Sequence, residues 1–524
     1  MADQANSDLV TKLNQIGIAL SSETNLERLL DLVVREVRGF TGADAGSLYI
    51  RTDSGLRFEV AQCDTLAKRD GAGEESFRPY PLPLTRTSIA GFVALTGQVL
   101  NIEDAYDLEG DDSVEFSFNR DFDIRNNYRS KSMLVIPMQD PRHENIGVLQ
   151  LINALDENGQ VMPFPEDVEP LALSLASQAA VAVSNAKLIN DIKNVFAALV
   201  RYSASAIDAR SPHTAGHSRR VAALALMVAR AMNRQTDGPF ARVHFSAEEL
   251  EELSYAAWLH DIGKIGVREQ VLDKSGKVSL DRLDLIKARF QCIGLQNDLE
   301  YQLRLQSALN SGGSNPTSVD ALKEDHDRQA KELAEEISLI ERLNTPGFVS
   351  DEDLAALNKI AAQTYTDTLG QTRPYLEPFE LENLGIRKGN LTAKEYQEMQ
   401  SHVTLTHQIV EKIPFTSELS RIPDFACCHH EMLNGTGYPH GLKGDAIPLQ
   451  ARILGVVDIF DALVASDRPY KKALPASKAV DILREEAQNG RLDPDIVDLF
   501  IQEGIGSEQN VVRLAELTDD QVLA

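Results

Sequence analysis

Cysteine is scarce in this 524-residue chain: four residues, Cys63, Cys292, Cys427 and Cys428, and no C-x-x-C pair among them. The adjacent Cys427 and Cys428 cannot easily bridge each other, so a disulfide framework is not expected and a reducing compartment fits best. Net positive charge is missing as well. With 52 basic against 79 acidic side chains, a formal charge of -27 and no Lys/Arg-rich stripe, a basic face for nucleic acid is excluded. A small anionic substrate is still admissible where metals, Lys and Arg reverse the field locally. The most apolar long run, LALSLASQAAVAVSNA at 171–186, contains Ser, Gln and Asn and falls short of a bilayer span. The opening MADQANSDLV lacks the basic start and apolar core of a secretory signal. A cytoplasmic protein without membrane or nucleic-acid partners is expected. What is present, 43% hydrophobic and 25% charged residues, is globular composition at a length that implies two or three domains.

The chain opens with apolar residues at helical spacing, Leu9, Leu13, Ile16 and Leu20, then Leu26, Leu29, Leu30, Val33 and Val37, broken by SSETN. From about 45 to 155 the pattern shifts to short alternating runs, AGSLYIRT, LRFEVAQC, KSMLVIPMQ and NIGVLQLINA, between Gly, Asp and Asn turns. These predict an antiparallel sheet with flanking helices. Residues 166–208 are rich in Ala, Leu and Val and free of Gly, which predicts one long connecting helix suited to pairing with its twin in a homodimer.

In this order of helix, strands and exit helix, residues 8–190 resemble a GAF domain. The resemblance implies a sensor domain, 1–165, that takes an unknown small-molecule ligand, a cyclic nucleotide among the candidates. The Asn-Lys…Phe…acidic motif of cyclic-nucleotide-binding GAF domains is matched only in part: Asn153 is followed by Ala154, with Phe164 and Asp167 further on. Turn-shaping and helix capping account for these residues equally well.

Beyond residue 200 the pattern is helical, with no alternating strands. Residues 278–391 form an inserted segment of charged helical stretches such as VDALKEDHDRQAKELAEEISLIERL around the loop NSGGSNPTS. Pairs such as Lys331 and Glu335 suit a solvated hairpin. Around the insertion stand residues of another kind. His217 opens an amphipathic helix, His260 and Asp261 close the apolar AAWLHDIGK with Lys264 behind them, and His402 lies in EYQEMQSHVTLTHQIV. HHEMLNGTGYP brings His429 and His430, and ILGVVDIFDAL brings Asp458. One histidine on a helix is ordinarily packed or solvated. Five of the 11 in one region, with two carboxylates embedded in apolar sequence, are costly unless they bind something. Imidazole with carboxylate and no thiolate suits Fe, Mn, Zn or Ni. More than five donors exceed what one tetrahedral ion takes, so at least two ions are expected, with Asp261 able to bridge them.

LHDIGK, HHExxNGTGYP, VVDIFDAL and DRPYKKA taken together resemble the HD-GYP family of cyclic-di-GMP phosphodiesterases over residues 200–510, less the insertion. The resemblance implies an α+β multidomain architecture: a GAF domain, a connecting helix and an all-α HD-GYP domain. It implies metal ligands at His217, His260, Asp261, His402, His429, His430 and Asp458, with Asp261 and Lys264 in catalysis. Substrate contacts fall on Gly437, Tyr438, Pro439, Arg468 and Lys471. Two divalent ions, iron or manganese, are implied, and a third is in question because His213 stands where a Glu is expected. The implied reaction is hydrolysis of cyclic-di-GMP to pGpG and onward to GMP. A contact to a ligating histidine is expected for Glu431, and helix-end capping or salt bridging for Asp461 and Asp467. The 141 positions between Asp261 and His402 require the insertion to leave and return near the site, where it could gate access. A cyclic-dinucleotide receptor and an HD hydrolase of another phosphoester stay open as alternatives.

Overall fold

A computed structural model of the chain describes residues 2–23, 25–52, 55–70, 80–108, 113–210, 216–310, 316–465 and 473–518. The chain divides into two compact units, residues 1–196 and 197–524.

In the first unit, α1 (Ala2–Ser22) and α2 (Leu26–Thr41) precede a seven-stranded antiparallel sheet. Asn25 caps α2 by accepting from the Arg28 amide, and Gly42, at φ 69°, ends it in the left-handed conformation that glycine tolerates best. The strands are β1 (Ala43–Thr52), β2 (Gly55–Cys63), β3 (Tyr80–Leu82), β4 (Leu100–Ile102), β5 (Met133–Gln139), β6 (Asn145–Leu155) and β7 (Val161–Met162). Their order is β3-β2-β1-β6-β5-β4, with β7 on β6. Side-chain alternation sends Leu48, Leu134, Ile136, Leu149 and Leu151 to one face, against Leu29, Val33 and Val37 of α2. Met133, Val135 and Val148 pack on the other face with Ile89 and Val93 of the helix Ile89–Thr96. That second face also lines a cavity of about 730 Å³ with Ser47, Tyr49, Phe58, Tyr128, Met133 and Gln150.

Asn153, at φ 58°, takes the Lys131 amide on its side-chain oxygen (2.7 Å) and donates to Arg129 O (2.8 Å) and the Tyr128 hydroxyl (2.9 Å). It ties β6 to the preceding segment, the turn-shaping role.

The connecting helix, α3 (Val168–Asp208), is more apolar than its sequence suggested. An 18-residue window reaches a mean hydropathy of 1.2, enough by length and composition alone to cross a bilayer. Its apolarity has a local cause: Ala172, Leu175, Ala176, Ala179 and Val183 are buried in the core of the first unit.

The second unit is mainly helical. α4 (His217–Asn233), α5 (Ala247–Leu259), α6 (Ala393–Val410), α7 (Ile422–Cys427) and α8 (Leu449–Val464) carry the residues singled out above. Between α5 and α6 the inserted segment forms a hairpin of two long helices, Leu280–Asn310 and Pro316–Asn344, then Asp351–Ala361 and Pro378–Leu384. It has its own core, with Ile286, Phe290, Ile340, Leu357 and Leu384. Contrary to the expectation of helix alone, it also contains two short antiparallel ladders, Gly347–Phe348 with Lys388–Gly389 and Thr364–Thr366 with Thr372–Pro374. Strands of two or three residues are too short to show a two-residue period. Lys331 and Glu335 do pair, at 3.8 Å and fully in solvent, where such a contact contributes little.

The segment's two ends are drawn together. Lys274 Nζ pairs with Glu395 (2.7 Å), the Lys277 amide donates to Asn344 O (3.0 Å), and the buried Lys277 ammonium donates to Leu384 O (3.2 Å). Inside, the fully buried Glu380 accepts from Arg282 Nε (2.6 Å) and Arg289 Nη1 (2.8 Å). Glu380→Ala strands two cations and is expected to destabilise the inserted segment by about 3 kcal/mol. Faster amide exchange confined to 280–310 and 351–384 would be the signature.

Candidate metal centre

The seven sequence-selected donors come from five separate places in the chain, and the fold brings all of them together. α5 begins at a capping box, Ser246 with Glu249, and runs through the buried Trp258 and Leu259 to its end. There His260 and Asp261 leave it for a tight turn at Ile262–Gly266. α6 starts at a second capping box, Thr392 with Glu395, and presents His402 toward that turn. Contact is close because residue 263 has no side chain: a Cβ there would lie 1.9 Å from His402 O and 2.5 Å from the Thr406 amide nitrogen. Gly263 N instead donates to Thr406 Oγ1 (3.0 Å), which donates in turn to His260 O (3.0 Å). His429 and His430 follow the end of α7, Asp458 lies in α8 and His217 begins α4.

Asp261 lies between two groups of donors. Its Oδ2 is 3.2 Å from His260 Nε2 and 3.5 Å from His217 Nε2, and its Oδ1 is 3.3 Å from His402 Nε2. His217 Nε2 is also 3.2 Å from Asp458 Oδ1. Donor atoms within 4.8 Å of one another form the sets His217, His260, Asp458; His260, Asp261, His429; and His402, His429, His430.

Three imidazoles are oriented in the same manner. Nδ1–H of His260, His402 and His429 donates to the carbonyl three residues back, Ala257, Met399 and Ala426, each at 2.6 Å. That bond fixes the tautomer and leaves Nε2 as a lone pair aimed inward. All three Nε2 atoms, with Asp261 Oδ1, are buried and have no hydrogen-bond partner among the described residues. Buried acceptors without donors are rare, and a cation satisfies them where another acceptor could not. The donor set fits a metal.

His217 is held differently. Its Nδ1–H donates to Asp461 Oδ2 at 2.8 Å, and Arg220 grips the same carboxylate through Nε (2.7 Å) and Nη2 (3.0 Å). Asp461, which the sequence placed in capping or salt bridging, orients a donor of the site through an ion pair with Arg220.

The electrostatics agree with this geometry. Burial, reinforced by the charges of His430 and His260, pushes His429 well below the ordinary imidazole range, and burial takes His430 down to about 4. Both imidazoles are therefore neutral and ready to ligate. Burial opposes the charge on Asp261, but Lys264 and the surrounding imidazoles outweigh it and hold the carboxyl well below its usual range. Burial also opposes a proton on His217, yet hydrogen bonds to Asp261, Asp458 and Asp461 raise it well above normal. A divalent ion held by His217 Nε2 would take that proton's place, since a ligating imidazole is neutral.

Lys264 Nζ rests on Asp261 Oδ2 at 2.5 Å. The Tyr438 ring lies against His430 (centroids 4.9 Å apart) after a cis Tyr438–Pro439 bond. Gly437 is required by space, since a Cβ would lie 2.4 Å from Met432 N and 2.5 Å from His430 O. Glu431 accepts the backbone amides of His440, Gly441 and Leu442 at 2.7 to 3.1 Å, shaping the loop that follows the two histidines. Arg468, Lys471, Asp467 and His213 lie outside the described residues. Sequence reasoning passed over Gly263 and Asp208. The carboxylate of Asp208 accepts from Ser218 N and Oγ (both 3.1 Å), beside His217.

Family models describe residues 25–183 as a GAF domain and residues 214–306 and 375–496 as an HD domain. The stretch 307–374, unmatched between the two HD segments, falls within the inserted segment. Over 147 residues the chain is 37% identical to the 3'3'-cGAMP-specific phosphodiesterase 3 of Vibrio cholerae, covering 28% of this chain and 29% of that protein. It is 33% identical over 145 residues to a probable cyclic di-GMP phosphodiesterase of the same organism, 27% and 32% of the two chains. To the cyclic di-GMP phosphodiesterase response regulator RpfG of Xanthomonas campestris it is 40% identical over 120 residues, 22% and 30% of the two. The chain thus spans about a third of the length of these curated relatives.

Asp461→Asn leaves the shape and removes the charge that holds His217 to Arg220. Metal affinity is expected to fall about 10- to 100-fold, read by competition titration with a chelating dye; unchanged affinity would leave Asp461 as an ordinary ion pair.

Proposed function

We propose that this chain, which carries a GAF domain and an HD domain, is a metal-dependent phosphodiesterase that hydrolyses cyclic-di-GMP. The observation that carries the reading is the set of buried, partnerless Nε2 atoms of His260, His402 and His429 beside Asp261 Oδ1, in a region similar to proteins named as cyclic di-GMP phosphodiesterases. His217, His260 and Asp458 would hold one divalent ion and His402, His429 and His430 a second, with Asp261 shared. Iron and manganese suit this imidazole and carboxylate set. When bound, such ions supply Lewis-acid stabilisation of phosphate oxygens and bring the pKa of water toward neutrality.

The chain's own residues do the rest. Asp261 and the Nδ1-anchored imidazoles keep the donors preorganised, so no reorganisation cost falls at the moment of reaction. Lys264, already a cation on Asp261, sets a fixed positive charge beside the scissile phosphate. Tyr438 on the His430 ring, held by Gly437 and Pro439, offers a wall for the nucleotide, and Arg468 and Lys471 would hold phosphate oxygens. The first product is pGpG, and a second cleavage yields GMP.

The cavity in the first unit would take the GAF ligand. A homodimer would form along α3, where Leu188, Ile192, Val195, Leu199 and Tyr202 are exposed at alternating four- and three-residue spacing, the seam of a coiled coil. The inserted hairpin would gate access to the site. A cytoplasmic location without nucleic-acid or membrane partners completes the reading.

Protein loaded with manganese or iron should convert cyclic-di-GMP to pGpG, followed by chromatography, with 3'3'-cGAMP and p-nitrophenyl phosphate as comparison substrates. Nucleotide bound but unchanged would make the chain a receptor, and turnover of the monoester alone would make it a different hydrolase. His260→Ala and Asp261→Ala are each expected to lose both metal and turnover; retention of both by either variant removes that residue from the site.

A further inference from the structure

The connecting helix does not simply stop before the metal centre. Its last residue, Asp208, is 5% exposed and takes Ser218 N and Oγ on its two carboxylate oxygens, at 3.1 Å each. Ser218 follows His217 directly, so this bond fixes the first turn of α4 at the point where it delivers its donor. Two residues on, Arg210 reaches the other side of the site. Its Nη1 donates to Lys264 O (3.0 Å) and Ile265 O (2.6 Å), and its Nη2 to Val267 O (2.9 Å).

Those three carbonyls belong to the tight turn that follows Asp261 and carries Lys264. At its two ends the turn is closed by Lys264 N donating to Asp261 O (2.9 Å) and Val267 N to Lys264 O (3.1 Å). Five residues of tight turn give poor hydrogen-bond geometry on their own. A planar guanidinium with several rigidly placed donors is the side chain best suited to gather carbonyls that point the same way. The site's central carboxylate and its lysine thus sit on a turn braced from outside by the end of α3. The site's first histidine begins a helix braced by the same end.

We propose that Asp208 and Arg210 are positioning residues that couple the connecting helix to the metal centre, so that order at the C-terminal end of α3 sets how well Asp261, Lys264 and His217 are held for hydrolysis. Any ligand or dimer contact that shifts this helix end would change activity without touching a metal ligand. The kinetic part of this inference rests on the proposed phosphodiesterase reading; the structural part does not.

Arg210 is exposed, so Arg210→Ala in the full-length chain should fold. Three readouts are expected together. Amide hydrogen exchange at Lys264 and Val267 accelerates about tenfold, kcat for cyclic-di-GMP drops about tenfold or more with little change in KM, and metal content by mass spectrometry stays as in the parent. Free guanidinium at millimolar concentration, or Arg210→Lys, should restore part of both losses, which a general loss of stability would not show. Unchanged exchange at the turn overturns the brace. Faster exchange with unaltered kcat overturns the coupling, as does a fall in kcat without faster exchange. If the parent protein does not hydrolyse cyclic-di-GMP, the functional reading fails, while exchange at 262–267 still decides the brace.

Discussion

The second unit depends on a shared constraint: buried nitrogen and oxygen acceptors that nothing among the described residues satisfies. His260, His402 and His429 each give their one N–H to a carbonyl three residues back, so each must present a bare Nε2 to the interior. At about 1–3 kcal/mol for each unsatisfied buried group, three nitrogens and Asp261 Oδ1 would cost roughly 4–12 kcal/mol. That is on the scale of a whole domain's stability, about 5–15 kcal/mol. A fold does not sustain such a cost without a return, and a divalent ion gives one. The return is also topological: His217 and Asp458 are 241 positions apart (458 minus 217), and an ion held by both ties remote segments together.

How far the site could be read from sequence divides along the range of the interaction. The donors themselves were legible, because histidine and aspartate inside apolar helices are anomalous wherever they fold. Their supports were not. Asp461 looks like any acidic residue near a helix end until α4 and α8 meet, and its partner His217 is 244 positions away. Nothing local in the sequence singles out Gly263; what requires it is the backbone of His402 pressing where a side chain would be. Glu431 misled by adjacency. Standing beside His430 in sequence, it spends both carboxylate oxygens on three amides of the loop that follows. In the fold, period-two alternation marked the long sheet strands, helical spacing marked α1 and α2 and composition marked α3, whereas the short ladders of the insertion carry too few residues for any period.

The insertion illustrates how a large segment can enter between two ligands without disturbing either. Asp261 and His402 are brought together by the turn at 262–266 packed on α6, a contact that needs nothing from the hairpin. The hairpin leaves and returns through a narrow neck, where Lys274, Lys277, Asn344 and Glu395 close the chain on itself. It then buries its own apolar residues around Phe290 and satisfies its own buried charge at Glu380. Loop-closure entropy rises only slowly with length, so a segment that folds on itself beyond a closed neck adds little strain to the site at its base.

The supports of the metal site differ in reach, and the difference bears on control. The Nδ1 bonds to carbonyls three residues back are local and form whenever the helix ends form. The Asp461–Arg220 pair needs two helices of the same unit. The grip of Asp208 and Arg210 needs the end of α3, a helix whose other end is buried in the core of the first unit. Of the three, only the last depends on an element that both units share. Local bonds fix which atoms can bind an ion, and on the proposal above the bonds from the end of α3 determine how firmly the turn beneath them is held. A signal that reaches the site through the chain itself therefore acts most directly at the residues where the connecting helix ends.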